Sequence, residues 1–146
     1  MARAVITLNN PIFKLADTEA GLTAGDSYEC QLTSAAITPS PVSNTIPATG
    51  CAPATQSPGR TGYSIDLAWL QDWSVPGGGL SGFAYENDTA PKWFSFQLDA
   101  ADTAPIATGQ VYVVAGAYGG TFGDGSAAAA SASWPCLDKP TITIPV

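Results

Sequence analysis

The stretch from Gln110 to Val114 constrains the fold more than any other part of the chain. In an extended backbone Val111 and Val113 point to one side, Tyr112 and Val114 to the other, so both faces are apolar. A strand of that kind must be covered on both faces, either within one domain or by a neighbouring subunit. Other short runs carry the same period of two. Tyr63, Ile65, Leu67 and Trp69 alternate with Ser64, Asp66 and Ala68, which predicts a strand over Gly62–Leu70; Trp69 and Trp73 also sit at helical spacing. Tyr28, Cys30 and Leu32 alternate with polar residues and predict a strand running towards Ile37. Phe94, Phe96 and Leu98 place one face of a strand over Lys92–Leu98. Shorter β-like pieces are expected at residues 4–8, 11–15 and 139–144, and a weak strand of small residues at 126–134. Leu80, Phe83 and Ala84 share one helical face, so a short helix is expected from Leu80 to Glu86, ended by Asn87–Pro91; Asp99–Pro105 reads as a turn.

Between Thr38 and Thr61 the texture changes. Pro39, Pro41, Pro47, Pro53 and Pro58 alternate with Ser, Thr, Ala and Gly, and such a density of proline excludes a central strand or a helix. A loop of this length inside a small domain is either a floppy excursion or a functional segment. Proline lowers the entropy lost on docking, which favours an extended arm that binds something. The expected architecture is mainly β: a β-sandwich or split barrel, with one short flanking helix and a long Pro-rich loop, in a single domain over residues 1–146.

Composition narrows the function. Only 12% of the residues are charged, against about 25% in an ordinary soluble domain, while 45% are hydrophobic. The surface is therefore rich in Ser, Thr, Ala and Gly, which suits a subunit packed against others and equally a secreted domain with a bland polar surface. The net charge is −7, and Arg3, Lys14, Arg60, Lys92 and Lys139 form no cluster. Tight nucleic-acid binding needs several phosphate contacts, so gripping DNA is disfavoured.

Histidine is absent, which removes the usual general base, zinc ligand and nucleophile-activating partner. Cys30, Cys51 and Cys136 are far apart and too few for a four-thiolate zinc site. They read as buried, free thiols of a protein made in a reducing cytoplasm, with a Cys51–Cys136 bridge as the minor alternative. No apolar run is long enough to span a membrane, and residues 1–10 do not have the make-up of a signal peptide. Gly77-x-Gly79-x-x-Gly82 has the spacing of a dinucleotide fingerprint but lacks the surrounding βαβ unit, so it reads as a turn into the helix. The glycines from Gly119 to Gly125 accompany a single carboxylate, too few oxygens for calcium, and read as a hairpin connection. Asp66, Asp72, Glu86 and Asp88 read as surface acids rather than a glycosidase pair, and the four tryptophans as core and interface anchors rather than a sugar platform. No catalytic, cofactor-binding or metal-binding residue is expected.

Several phrases carry a family resemblance: Leu67–Trp73, Tyr85–Thr89, Ala107–Val111, Val114–Gly120, Trp134-Pro135 and Lys139-Pro140-Thr141. In these the chain resembles the tail tube (major tail) proteins of long-tailed bacteriophages, especially those of actinobacterial hosts. The resemblance implies a non-enzymatic virion protein, assembled in the host cytoplasm, whose six-membered rings stack into a hollow tail through which DNA passes. It implies contacts with the tape measure and tail terminator proteins, and no membrane. The arm would then reach a neighbouring subunit or ring through Pro39, Pro41, Ile46, Pro47, Pro53, Pro58 and Arg60. Glu29, Asp66 and Asp99 would be candidates for acids facing the lumen, where a negative wall keeps phosphate from sticking. Alternatives are another virion part (a tail terminator, a head–tail connector or a head decoration protein) and a carbohydrate-binding or adhesin module.

Overall fold

Short alternating runs separated by glycine and proline fold into ten strands in the computed structural model, which describes residues 10–100 and 105–144. They are β1 (Ile12–Ala16), β2 (Asp26–Ser27), β3 (Leu32–Ser40), β4 (Ser43–Ile46), β5 (Thr55–Pro58), β6 (Gly62–Leu70), β7 (Pro91–Gln97), β8 (Ile106–Tyr112), β9 (Ala129–Pro135) and β10 (Thr141–Thr143). One α-helix, α1 (Gly79–Glu86), lies between β6 and β7, and a 3₁₀ turn covers Ala20–Ala24. The strand expected at residues 4–8 and part of the turn after Asp99 lie outside the described residues.

The strands form three antiparallel sheets. A five-stranded sheet has the order β10-β8-β7-β1-β2, a three-stranded sheet the order β3-β6-β9, and among the described residues β4 pairs only with β5. The first two pack face to face as a sandwich. From the large sheet Phe13, Leu15, Phe94, Phe96 and Val111 point inward; from the small one Ile65, Leu67, Trp69 and Trp134 do. Leu80 and Ala84 of α1 join this core, placing the helix on the flank. Each large side chain removed from water contributes about 1.5–3 kcal/mol, so these residues hold the two sheets together.

Local chemistry explains the details. Phe94 pairs with Gly109 across β7 and β8, and a Cβ on Gly109 would sit 2.9 Å from the Phe94 ring. Only glycine lets that ring approach the next strand so closely. Gly77, Gly78 and Gly79 all have positive φ, so the suggestive glycine spacing serves the tight entry to α1. The Trp69 indole N–H donates to the buried Ser81 hydroxyl at 2.8 Å, tying the C-terminal end of β6 to the helix.

Several expectations need revision. Tyr28–Gln31 is a turn, closed by Gln31 and Leu32 amides donating to the Tyr28 and Glu29 carbonyls, and the strand starts at Leu32. The Pro-rich segment is not a loop: Pro39 and Ser40 extend β3 along β6, and β4 and β5 then form a hairpin. Proline is tolerated there because β3 is an edge strand and its missing N–H can face outward. The glycine-rich connection from Val113 to Ala128 crosses from the large sheet to the small one, so it is not a hairpin. Cys30 and Cys51 are exposed and Cys136 is half-buried, with all three thiols free, so none is the fully buried hydrophobe expected.

Candidate assembly surfaces

Three surfaces stand out, each dictated by one stretch of sequence. The first is the outward face of the small sheet. Because Ile65, Leu67 and Trp69 point inward, Ser64, Asp66 and Ala68 of β6 point outward, flanked by Ser34, Ala36 and Thr38 of β3 and Ser131 and Ser133 of β9. No Lys or Arg occurs in these three strands. Asp66 sits at the centre. Its carboxylate accepts hydrogen bonds from the hydroxyls of Ser133 at 2.6 Å, Thr38 at 2.8 Å and Ser64 at 3.5 Å. The Ser133 bond, then that of Thr38, holds this carboxyl below the usual carboxylate range, so it stays charged at neutral pH. The result is a flat wall of hydroxyls and methyls with one fixed negative charge.

The second is the hairpin. Residues 41–59 contain no charged side chain, and every residue from 41 to 56 is exposed. The hairpin continues the β3–β6 ladder outward, with Ser40 opposite Gly62 and Ser43 opposite Pro58, and among the described residues packs substantially against no other element. Asn44 and Ile46 share one face of β4, which Val42 immediately precedes; Val42 is 51% and Ile46 52% exposed. Its tip is a tight turn in which the Thr49 and Ala52 amides donate to each other's carbonyls. An isolated two-stranded hairpin is marginally stable in water.

The third is the margin of the sandwich. One edge of β3 pairs with β6; among the described residues the other edge has no strand. On the far side, β9 is tied to the large sheet through a bridge between Val111 and Cys136 and a bond from the Leu137 amide to the Gln110 carbonyl. Among the described residues the sandwich is thus stitched at β9 and open at β3. Of the run expected to be covered on both faces, within the domain or by a neighbour, Val111 and Val113 are fully buried within the chain, while Tyr112 is 44% and Val114 36% exposed. Nearby, Gln71 bonds to both the N–H and the C=O of Gly119 and accepts from the Trp73 indole. This holds Trp73 edge-on to Tyr118 and Tyr85, with Tyr118 82% exposed.

The residues singled out from sequence fall on different surfaces. Pro39 lies in β3, Pro41 and Arg60 at the hairpin root, Ile46 and Pro58 in its strands, and Pro47 and Pro53 near its tip. Arg60 pairs with Asp138 at 3.6 Å, both exposed. Val42 belongs with Ile46 but escapes a reading that follows prolines. Of the three acids, only Asp66 is on the hydroxyl face; Glu29 lies in the turn before β3, accepting from the Phe13 amide at 3.4 Å, and Asp99 follows β7. The hydroxyl partners of Asp66 were legible only as alternation on strands whose pairing the sequence does not state. Among the described residues, no three His, Cys, Asp or Glu side chains group to hold a metal, and no helix is long and apolar enough to cross a membrane.

No protein-family model and no curated protein matches the sequence. Among solved structures, the chain is similar to one in the virion of a native gene transfer agent particle, with a TM-score of 0.57 and 12% identity over 92% of this chain and 95% of that one. It is also similar to a chain in the tail of an empty gene transfer agent particle, solved by helical refinement with C6 symmetry, with a TM-score of 0.56 and 13% identity over 90% and 95%. Along almost its whole length, the chain shares the fold of a protein chain of these particles.

Proposed function

We propose that this protein is a structural subunit of a phage-type tail, whose copies close into six-membered rings that stack into a hollow tube. The observation that carries the reading is the hairpin: an uncharged projection with half-exposed Val42 and Ile46 that, among the described residues, packs substantially on no other element and is marginal alone. Such an element acquires its stability from another molecule. The edge of β3 that carries no strand among the described residues and the half-covered Tyr112 and Val114 point the same way, since closure of sheets between copies removes free edges. Similarity to a chain in a C6-symmetric tail supports copies of the same chain as the partner.

In this assembly the outward face of the small sheet lines the tube. Serine and threonine hydroxyls with the Asp66 carboxylate offer DNA phosphates no counterion-releasing cation, so a passing duplex finds no binding energy to slow it. The protein conducts DNA without gripping it, lives in the virion tail, is made in the host cytoplasm, and carries out no catalysis. Tape measure and tail terminator proteins are its expected partners within and at the end of the tube. One observation favours a second reading, a β-sandwich glycan-binding module: the ordered Trp73, Tyr85 and Tyr118 cluster.

Electron microscopy of the purified protein, with its mass by light scattering, separates the two. Six-fold rings or tubes support the tail subunit. Stable monomers that bind a glycan array support the module and contradict the proposal.

A further inference from the structure

The connection between β8 and β9 holds one aromatic side chain out from the body. Gln71, directly after β6, bonds to both the N–H and the C=O of Gly119, while its own amide donates to the Ala128 carbonyl and its side chain to that of Ala129. One residue thus clamps both ends of the loop. Residues 120–128 are all exposed, and Phe122 stands 94% exposed, more than any other large apolar side chain among the described residues. Two positions on, the Ser126 hydroxyl and amide both donate to Asp124 Oδ1, at 2.7 and 2.9 Å, which holds that carboxyl below the usual carboxylate range. The loop therefore carries a bare ring and a fixed negative charge side by side.

At the opposite end of β6 the fold brings together two of the chain's five cations, Arg60 and Lys139. They border a cleft of about 390 Å³ whose other walls include the half-buried Tyr63, Cys136 and Leu137 and the exposed Asp138. Asp138 pairs with Arg60 at 3.6 Å, and Lys139 has no ionic partner among the described residues.

We infer that this cleft receives the Phe122–Asp124 turn of a second copy, with the ring against Tyr63, Cys136 and Leu137 and the carboxylate against Lys139. This deepens the assembly reading above and rests on it. Two observations select the occupant. The cleft joins an apolar wall to an unmatched cation and the loop joins an exposed ring to a carboxylate, so each side offers what the other lacks. The second is distance. Tyr63 and Gln71 lie eight residues apart along β6 and its end, about 26 Å at the rise of a strand. Phe122 is three residues from the clamped Gly119 and reaches about 11 Å at most. The loop cannot enter its own cleft. With loop and cleft at opposite ends of one strand, the contact is head-to-tail, the heterologous kind that closes a ring or extends a stack.

The test replaces Phe122 by the photo-crosslinking benzoylphenylalanine, aromatic for aromatic at a position whose exposure spares the fold, in an equal mixture of ¹⁴N- and ¹⁵N-labelled full-length protein. After irradiation, mixed-isotope crosslinks from residue 122 to the peptide containing Tyr63 or that containing Leu137 are expected. In a protein that assembles, crosslinks to another stretch, crosslinks only within one copy, or none at all overturn the inference and leave the assembly reading standing. A protein that forms no assemblies and gives no mixed-isotope crosslink overturns both. As a second measure, Asp124→Lys and Lys139→Glu should each lower the assembled fraction about tenfold with an unchanged melting temperature, because each sets like charges face to face only on docking. The two substitutions combined should restore most of the assembly. Full assembly in both single variants, or no recovery in the double one, overturns the inference.

Discussion

Replacing residues 42–58 by a four-residue Gly/Ser linker separates what the hairpin does for its own domain from what it does for assembly. The hairpin root is already closed, since the Gly59 amide donates to the Val42 carbonyl, so a short linker can join Pro41 to Gly59. Shortening the loop about fourfold favours folding by about 1 kcal/mol in closure entropy. Against this stands the loss of the β4–β5 ladder, a two-stranded unit near zero net stability. The two effects nearly cancel, and the melting temperature should move by no more than about 5 °C in either direction. Assembly should respond differently. Val42 and Ile46 are each about half exposed in the monomer, so docking removes the remainder of both from water, worth about 2 kcal/mol per contact. That is about a thirtyfold loss in association constant per contact, compounded at every hairpin of a ring. Calorimetry and negative-stain imaging of the truncated protein check both halves. A loss of more than about 10 °C makes the hairpin part of the core and refutes the reasoning; tubes of ordinary length refute it from the other side.

Three further outcomes are expected. Ser81→Ala leaves the buried Trp69 indole N–H without its acceptor and should cost about 1–3 kcal/mol in urea unfolding, without changing the oligomeric state of the folded protein. Because its three hydroxyl partners depress the Asp66 pKa in the folded state, ionised Asp66 stabilises the fold above the ordinary carboxylate pKa; that contribution is lost as pH falls through the depressed value. Acid titration of stability should therefore show Asp66→Ala less stable than the parent at neutral pH, with the gap narrowing in acid; a gap independent of pH contradicts the linkage. In alkylation kinetics on the native protein, the exposed Cys30 and Cys51 should react well ahead of Cys136, whose thiol burial pushes up to about 11; equal rates for all three contradict the placement.

The sequence made legible what a single element decides for itself. Alternation over Tyr63–Trp69 gave β6 with its bounds, and the Leu80–Ala84 spacing gave α1, because side-chain burial on one element follows from its own period. Composition and order likewise sufficed for a mainly β sandwich with one helix. Pairing between distant elements was not legible. The turn at Tyr28–Gln31 carries the same alternation as a strand and differs only in its hydrogen bonds. The proline density after residue 38 excludes a central strand, as found, but it does not distinguish an extended loop from edge strands, and β3 and the hairpin are edges. The wall around Asp66 draws Thr38, Ser64 and Ser133 from three strands, one of them 67 positions away, and no local pattern announces that meeting. Glu29 and Asp99 were singled out by charge alone and lie off that wall.

The central claim is that copies of this chain close into a tube with the hydroxyl face of the small sheet inside. A cryo-electron microscopy map of the assembled protein tests it most directly. The account predicts a hollow six-fold tube in which Asp66, Thr38 and Ser133 of every subunit face the lumen. A map in which that face is buried between rings or turned to the outside, or in which the assembly has no lumen, contradicts it.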